Sequence, residues 1–367
     1  MESKANVNIR FYQSGDDEDI VELLKKTFPK WGKFDDPVKF WRWKYFGMSQ
    51  ESVIVVATID NKIIGCNHSI VFNVKIGSEV TTIGWGDDLA VDTGYRGLGL
   101  WPKMTKNKEN KLSTLTKYNY STTGNPAVVK SWNKTHRPLF PFPITRMVKI
   151  KDVSLHLGMR PMKNMQLIKY GYIFLKILNK IKNLFQLPFK RSDEFIIVQV
   201  SQFDEKINLF WEKIKDDYDF ILEKKQNFLN WRFSNTSKGN HIKIQAVKGE
   251  EVLGYMVIGI KEDEGYTEGQ IEDLLALKNR LDVVYALFDY ACKYLDKLGI
   301  NTVYYQVVEK HPYQEISGRK EFIDSGSKPY LQFSYTENYQ KTSGETEIQF
   351  LKNTSPDRIY FNYADTV

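Results

Sequence analysis

Apolar and polar positions along this 367-residue chain switch repeatedly between a period of two and a period near 3.6. Residues 7–12 predict a first strand, and from Asp17 to Phe28 the apolar Ile20, Leu23, Leu24 and Phe28 recur at helical spacing, with Ser14 and Asp16 as candidate caps. Pro37 opens a short aromatic helix, Phe40-Trp41-Arg42-Trp43-Lys44-Tyr45-Phe46. Two strands follow, Val53–Ile59 and Ile63–Val74, joined at Asp60-Asn61, a hairpin-type turn. A third strand carries Asp87 and Asp88 and ends in Leu89-Ala90-Val91. The chain breaks at Asp92-Thr93-Gly94 and passes through Tyr95-Arg96-Gly97-Leu98-Gly99-Leu100 into a helix with Pro102 in its first turn. Tyr120–Thr123 then reads as a short strand, and Asn125-Pro126 opens a helix expected over Ala127–His136.

The strand, glycine-rich turn and helix start in succession are the most informative stretch. Gly97 and Gly99 let backbone N–H groups converge without Cβ obstruction, the helix dipole adds partial positive charge, and Arg96 stands alongside. The product is an anion cradle suited to a pyrophosphate, although two glycines after a strand also suit a plain connection. There is no Gly-Lys-Ser/Thr as in a Walker loop. The third glycine and following acidic residue of a dinucleotide fingerprint are missing as well.

The full string, Leu-Ala-Val, five residues to Arg96, then Arg-Gly-x-Gly-Leu opening a helix, resembles motif A of the GNAT acyltransferases, which use acetyl-CoA. The resemblance implies that Leu89, Ala90 and Val91 lie along the pantetheine arm, and that Arg96, Gly97, Leu98, Gly99, Leu100 and Trp101 hold the pyrophosphate. Trp101 stands where the family usually has a small residue. Asn125, Val128, Trp132 and Lys134 fall on a second family pattern, which makes Asn125 a pantetheine contact; an ordinary helix cap explains it equally well. Trp132 occupies the position of the Tyr that in many members returns a proton to the CoA thiolate, and an indole cannot do so at neutral pH. Ser131 and His136 are the nearest alternative general acids, together with water. Asp87 and Asp88 lie near the family's basic carboxylate, and strand alternation predicts that only one of them faces the acceptor. The other reading is that Gly-Asp-Asp solvates a strand edge.

Composition narrows the picture. A charge of +7, from 52 basic and 45 acidic residues, favours anionic ligands without the concentrated basic block of a nucleic-acid binder. Two cysteines cannot build a disulfide framework, and His68, His156, His241 and His311 lack metal-ligand spacing, so no metal is expected. The polar start MESKANVNIR does not read as a signal peptide, no run of 18 apolar residues occurs, and a cytoplasmic location is expected.

Residues 151–192 differ in character. Ile168, Tyr172, Leu175, Leu178 and Ile181 recur at helical spacing, interleaved with Lys169, Lys176, Lys180 and Lys182, between Pro161 and Pro188. Such a basic amphipathic stretch either packs as a connector between domains or, through residues 165–189, makes peripheral contact with a membrane or partner.

Beyond it the chain echoes itself. Phe228-Leu229-Asn230-Trp231-Arg232-Phe233 repeats Phe40–Tyr45, Val252-Leu253-Gly254 repeats Ile63-Ile64-Gly65, and Glu272-Asp273-Leu274-Leu275-Ala276-Leu277 repeats Asp87–Val91, in order and at nearly constant offset. The second copy has no glycine cradle; Lys278-Asn279-Arg280-Leu281-Asp282 leads into a helix over Leu281–Leu298 stopped by Gly299. Arg358–Asp365 reads as a closing strand and loosely resembles the aromatic strand ending some tandem GNAT-like proteins of cell-surface sugar synthesis.

The expected fold is therefore α+β, with two GNAT-like domains, each a central mixed, largely antiparallel sheet with splayed strands flanked by helices. The expected boundaries are a GNAT domain at 1–150, a basic connector at 151–192, and a degenerate copy with a C-terminal strand at 193–367. The resemblance implies N-acetyl transfer from acetyl-CoA to a primary amine of a small molecule, an amino sugar of cell-surface polysaccharide being one candidate. The alternative is a CoA-binding or scaffold protein that has lost catalysis, which Trp101 and Trp132 favour.

Overall fold

In the computed structural model the described residues are 7–48, 51–123, 128–130, 132, 139–140, 142–159, 164–184, 194–234, 239–263, 265–336, 339 and 346–366. The chain divides into two compact units, one holding the chain up to Phe140 together with Tyr330–Lys352, the other holding the rest.

The first unit is built on strands β1 (Asn8–Phe11), β2 (Ser52–Ile59), β3 (Lys62–Ile76), β4 (Glu79–Val91) and β5 (Tyr118–Thr123). Asp60 and Asn61, at φ of +48° and +64°, make the tight turn between β2 and β3; their short polar side chains tolerate that left-handed region. β1 to β4 pair antiparallel in sequence order, and β4 then pairs parallel with β5. A parallel step needs a crossover, and the helix α3 (Leu100–Leu112) provides it after α1 (Asp17–Thr27) and α2 (Pro37–Phe46). Leu100 and Met104 of α3 pack on Val55, Ala57, Ile59 and Ile64, and Leu112 packs on Val53 and Val71. At Gly84 a Cβ would come within 2.6 Å of the Leu112 side chain, so glycine is what lets α3 lie this close to β4.

The second unit holds β6 (Ile144–Ile150), β7 (Ile196–Val200), β8 (Phe220–Leu222), β9 (Asn240–Lys248), β10 (Glu251–Asp263), β11 (Tyr266–Ala276), β12 (Thr302–Val308) and β13 (Ile323–Asp324). β7, β9, β10 and β11 pair antiparallel in turn, and β11 pairs parallel with β12 across the helix Leu281–Lys297. This is the strand order of the first sheet again. Gly65 opposite Val91 and Gly254 opposite Ala276 mark the same register point in both.

Each sheet is completed by a strand from the far half of the chain. β14 (Tyr330–Tyr335) pairs antiparallel with β5 in the first sheet, and β6 pairs antiparallel with β12 in the second. The boundary expected at residue 150 therefore falls earlier, at Phe140, because Ile144–Ile150 finds its partner in the second sheet. The C-terminal segment is likewise not the expected strand: Pro356–Arg358 and Tyr363–Asp365 form 3-10 turns within the second unit. Asn362 caps the last turn by accepting from Ala364 N, a local bond that an extended strand would forgo.

Candidate active site

The two sheets open at equivalent points. β4 pairs with β5 only from Ile83 to Gly86, so Asp87–Val91 lie beyond the parallel ladder. β11 pairs with β12 only from Glu268 to Ile271, which leaves Glu272–Ala276 in the same situation. Strand ends that part in this way leave backbone donors and acceptors facing a gap, and these must find other partners.

Just where β4 leaves its neighbour it carries one extra residue. His68 stands opposite Asp87 and Cys66 opposite Ala90, and Asp88 has φ of +41°. This bulge cancels the alternation that predicted one aspartate on each face: both carboxylates reach Lys44, with Nζ at 2.5 Å from Asp87 and 2.7 Å from Asp88. Asp88 also accepts from Tyr45 Oη at 2.8 Å and Trp31 Nε1 at 3.4 Å, and its main-chain oxygen accepts from His68 Nδ1 at 2.8 Å. Trp41 Nε1 donates to His68 Nε2 at 3.1 Å, which fixes the neutral tautomer protonated on Nδ1. A left-handed aspartate is strained, and these contacts hold it in place.

The electrostatics follow from burial. Desolvation favours the neutral Asp88 carboxyl, but the Lys44 ammonium outweighs it and holds the group well below the ordinary carboxylate range. Desolvation also opposes the charge on Lys44, and the two aspartates overcome it, raising its pKa. For His68 burial outweighs the opposing pull of Asp88 and lowers it to about 4. Asp88 is thus an ionised group with saturated oxygens, whereas the Asp87 side chain remains 25% exposed.

Beyond Val91 the chain forms the glycine turn. Asp92 accepts from Gly94 N at 3.0 Å and pairs with Lys26 at 2.7 Å, which anchors the entry. Gly97 and Gly99 have φ of +87° and +67°, and a Cβ on either would meet nothing within 4 Å. Glycine is needed here for its backbone conformation, and the space above the turn is open. Gly99 is the N-cap of α3 and supplies no side-chain bond, so the first N–H groups of the helix keep their donor capacity. The side chain of Leu100 is buried against the sheet, so only its backbone can serve a ligand; Arg96, Gly97, Leu98 and Gly99 are exposed, as is Trp101. Leu89 and Val91 are half-buried and pack toward Leu100 and Met104, and Ala90 is buried. A pyrophosphate-bearing thioester fits this arrangement: open helix N–H groups, an arginine and left-handed glycines at one end, and at the other a strand end that has left its parallel ladder, where Val91 O accepts from Arg96 Nε at 3.4 Å.

No protein-family model matches the chain, and no curated protein sequence matches it. Solved structures do. A GCN5-related N-acetyltransferase from Anabaena variabilis superposes with a TM-score of 0.62 at 8% identity, covering 91% of this chain and 74% of its own. A tandem GNAT protein from the clavulanic acid biosynthesis pathway gives 0.57 at 11% identity, covering 90% of this chain and 99% of its own. Saccharomyces cerevisiae N-myristoyltransferase with bound myristoyl-CoA gives 0.58 at 10% identity, covering 92% and 80%. The chain has a tandem GNAT fold.

The two GNAT units differ in what occupies the opening. In the second, Tyr360 Oη accepts from Leu274 N at 3.0 Å and lies 2.5 Å from Leu274 O, while Tyr313 Oη accepts from Ala276 N at 3.1 Å. Leu274 and Ala276 are the repeats of Leu89 and Val91, so the tyrosines cover the strand edge that in the first unit, among the described residues, no side chain is bonded to at Leu89. Behind them Lys224, fully buried, pairs with Asp365 at 2.6 Å and Asp273 at 3.4 Å. The acidic–basic pair also recurs: Arg232, the repeat of Lys44, stands 3.9 Å from Glu272, the repeat of Asp87.

Asn125, Ser131 and His136 lie outside the described residues. Trp132 is buried. Lys44, Tyr45, Trp31 and His68 belong to the carboxylate site and are absent from the residues expected from sequence. The signal for them was a lysine set in the middle of an aromatic helix, Trp43-Lys44-Tyr45, a position where a cation needs a buried anion. Among the described residues no group of acidic, histidine and cysteine side chains could hold a metal ion.

Proposed function

We propose that the first GNAT unit transfers an acyl group from an acyl-CoA, acetyl-CoA being the expected donor, to a primary amine of a small molecule. The observation that carries this is the contrast between the openings: the first presents its strand edge, glycine turn and uncapped helix start, whereas the second is closed by Tyr313 and Tyr360. The thioester supplies an activated acyl carbon. The chain's part is to hold it in line with the amine and to polarise its carbonyl with strand N–H groups at Leu89 and Val91. Arg96 and the turn from Gly97 to Trp101 hold the phosphates. Asp87, with its partly exposed carboxylate, takes the ammonium proton, the free amine attacks the thioester carbon, and the C–S bond breaks to release CoA as a thiolate that solvent protonates. Asp88 positions Lys44, which in turn orients Asp87. An amino sugar of cell-surface polysaccharide is one acceptor class consistent with this reading.

A screen of amines for release of free CoA thiol from acetyl-CoA tests the proposal. Turnover with at least one amine, reduced about a hundredfold or more in Asp87→Asn, is expected. Tight CoA binding without thiol release across amine classes would favour the second reading, a CoA-binding scaffold, which the indole at Trp132 and an Asp88 carboxylate already occupied by Lys44 support.

A further inference from the structure

The helix Met165–Leu184 belongs to the second unit. Tyr172 marks its inward face: it is buried, and its hydroxyl accepts from Ile150 N at 2.7 Å. On the same side Asn179 Nδ2 donates to Gly318 O at 2.8 Å. The expectation that its recurring apolar residues bury a connector holds for Tyr172 alone.

On the opposite side of the helix Leu167, Phe174, Ile177, Leu178, Ile181 and Leu184 are 45 to 81% exposed. At a rise of about 1.5 Å per residue they form a strip on the order of 25 Å long. Apolar strips of that extent on a surface mark an interaction site. No residue of the helix is acidic, and Lys169, Lys176, Lys180 and Lys182 border the strip. Beside it a cavity of about 400 Å³ is lined by Lys151, Lys169, Tyr172, Lys176 and Lys180. Lys176 and Lys180 each stand 3.7 Å from Glu321, and Lys151 pairs with Asp296 at 2.7 Å, so part of this charge is met internally.

We propose that the helix Met165–Leu184 docks the protein on an anionic lipid surface, lying in the plane of the interface with its apolar strip toward the acyl chains and its lysines at the phosphates. A surface of single sign matches a helix of single sign. Pairing with a second copy of this chain would bring two all-basic rims together, and a partner protein helix is ordinarily registered by charges of both signs. The helix does not cross the bilayer: among the described residues no helix is long and apolar enough to do so. Apolar area combined with flanking lysines is the recognised composition of helices that lie at such an interface. The inference is independent of the transfer reaction.

Co-sedimentation of the full chain with vesicles of phosphatidylcholine alone, and of phosphatidylcholine with phosphatidylglycerol, tests it. Binding is expected to the anionic vesicles, to fall with added salt, and to weaken about tenfold or more in the double variant Phe174→Glu/Ile177→Glu. Because both side chains point outward, this variant should keep the wild-type circular dichroism and melting temperature. A second variant, Lys169→Gln/Lys182→Gln, leaves the apolar strip intact and should weaken anionic binding severalfold. Failure of the wild type to bind anionic vesicles, equal binding to both vesicle types, or equal binding by Phe174→Glu/Ile177→Glu would overturn the proposal. So would a dimer that this variant dissolves, without any lipid binding.

Discussion

Lys44 and Asp88, each with a side chain only 2% exposed, hold one another at 2.7 Å at the point where β4 bulges away from its parallel neighbour. Neither charge is tenable there alone. Replacing Lys44 by Met removes the closest cation from both carboxylates, leaving Asp88 with Lys30 at 3.8 Å, and should cost about 3–5 kcal/mol at pH 7. The pH dependence should change with it. In the wild type the Asp88 carboxyl is held below its ordinary value, so its stabilisation is complete above about pH 4 and lost as pH falls further. In Lys44→Met, Lys30 at 3.8 Å is the nearest cation left to Asp88 and burial moves its pKa up, so the gap to the wild type should narrow as pH is lowered toward 5, even as the buried histidines weaken both proteins. Urea titrations at pH 7 and 5 measure both, and a Lys44→Met midpoint equal to wild type would refute the pairing.

His68 gives a second pH signature. It is neutral in the fold, donates from Nδ1 to Asp88 O and accepts at Nε2 from Trp41. Burial lowers it to about 4, against an ordinary value of about 6.5 in the unfolded chain. The folded value is the lower one, so this contribution is full above pH 6.5 and is lost as pH falls toward 4, on the order of 3 kcal/mol in all. His241 and His311 are lowered to about 4 by burial as well, so the wild-type slope sums three groups. His68→Gln should be less stable at pH 7 and show a shallower fall between pH 6.5 and 4. An unchanged slope would show that His68 titrates normally in the fold.

The glycine turn makes a prediction specific to the ligand. Because a Cβ at Gly97 or Gly99 meets no atom within 4 Å, substitution there is limited by backbone strain, on the order of 1 kcal/mol, and the fold should survive it. Gly99→Asp adds a negative charge where phosphate is expected, whereas Gly99→Asn tolerates the left-handed backbone and adds none. Calorimetry should find CoA affinity lowered at least tenfold in Gly97→Asp and Gly99→Asp, and lowered less in Gly99→Asn. Equal affinities in all four proteins would remove the cradle assignment.

How much of this was legible in the chain depended on whether the signal was local. The Asp60-Asn61 turn, the strand–turn–helix at Gly97 and Gly99, and the repeat of Lys44-Tyr45 as Arg232-Phe233 are written in neighbouring residues. The meeting of Asp87 and Asp88 on one lysine was not, because a single extra residue in β4 inverts the face that alternation assigns. Strand exchange was hidden for a related reason: Ile144–Ile150 and Tyr330–Tyr335 read equally well as strands of either sheet, and only long-range pairing decides between them. The tail misled because its aromatic run resembles a strand, while Tyr360 is spent on the backbone of Leu274.

That last bond separates the two units and leads to the final prediction. Tyr360 Oη serves Leu274 N and O, lies 2.7 Å from Asp273 Oδ1, and accepts from Asn362 Nδ2 at 2.5 Å, all in a buried setting. Tyr360→Phe keeps the ring but leaves the Leu274 N–H with Asp273 Oδ1 at 3.0 Å alone and takes a hydroxyl away from that buried carboxylate and from Leu274 O, so a loss of roughly 1–3 kcal/mol is expected. Tyr313→Phe strands the Ala276 N–H and should cost about 1–3 kcal/mol. Since the tyrosines close the second opening, the wild type should bind one CoA per chain, and both variants should keep that stoichiometry and the wild-type affinity, because the first unit is untouched. Calorimetric stoichiometry and thermal unfolding of the same samples decide the matter. Two CoA molecules per wild-type chain, or a Tyr360→Phe protein as stable as wild type, would mean that the second opening is available to ligand and that the tyrosines do not seal it.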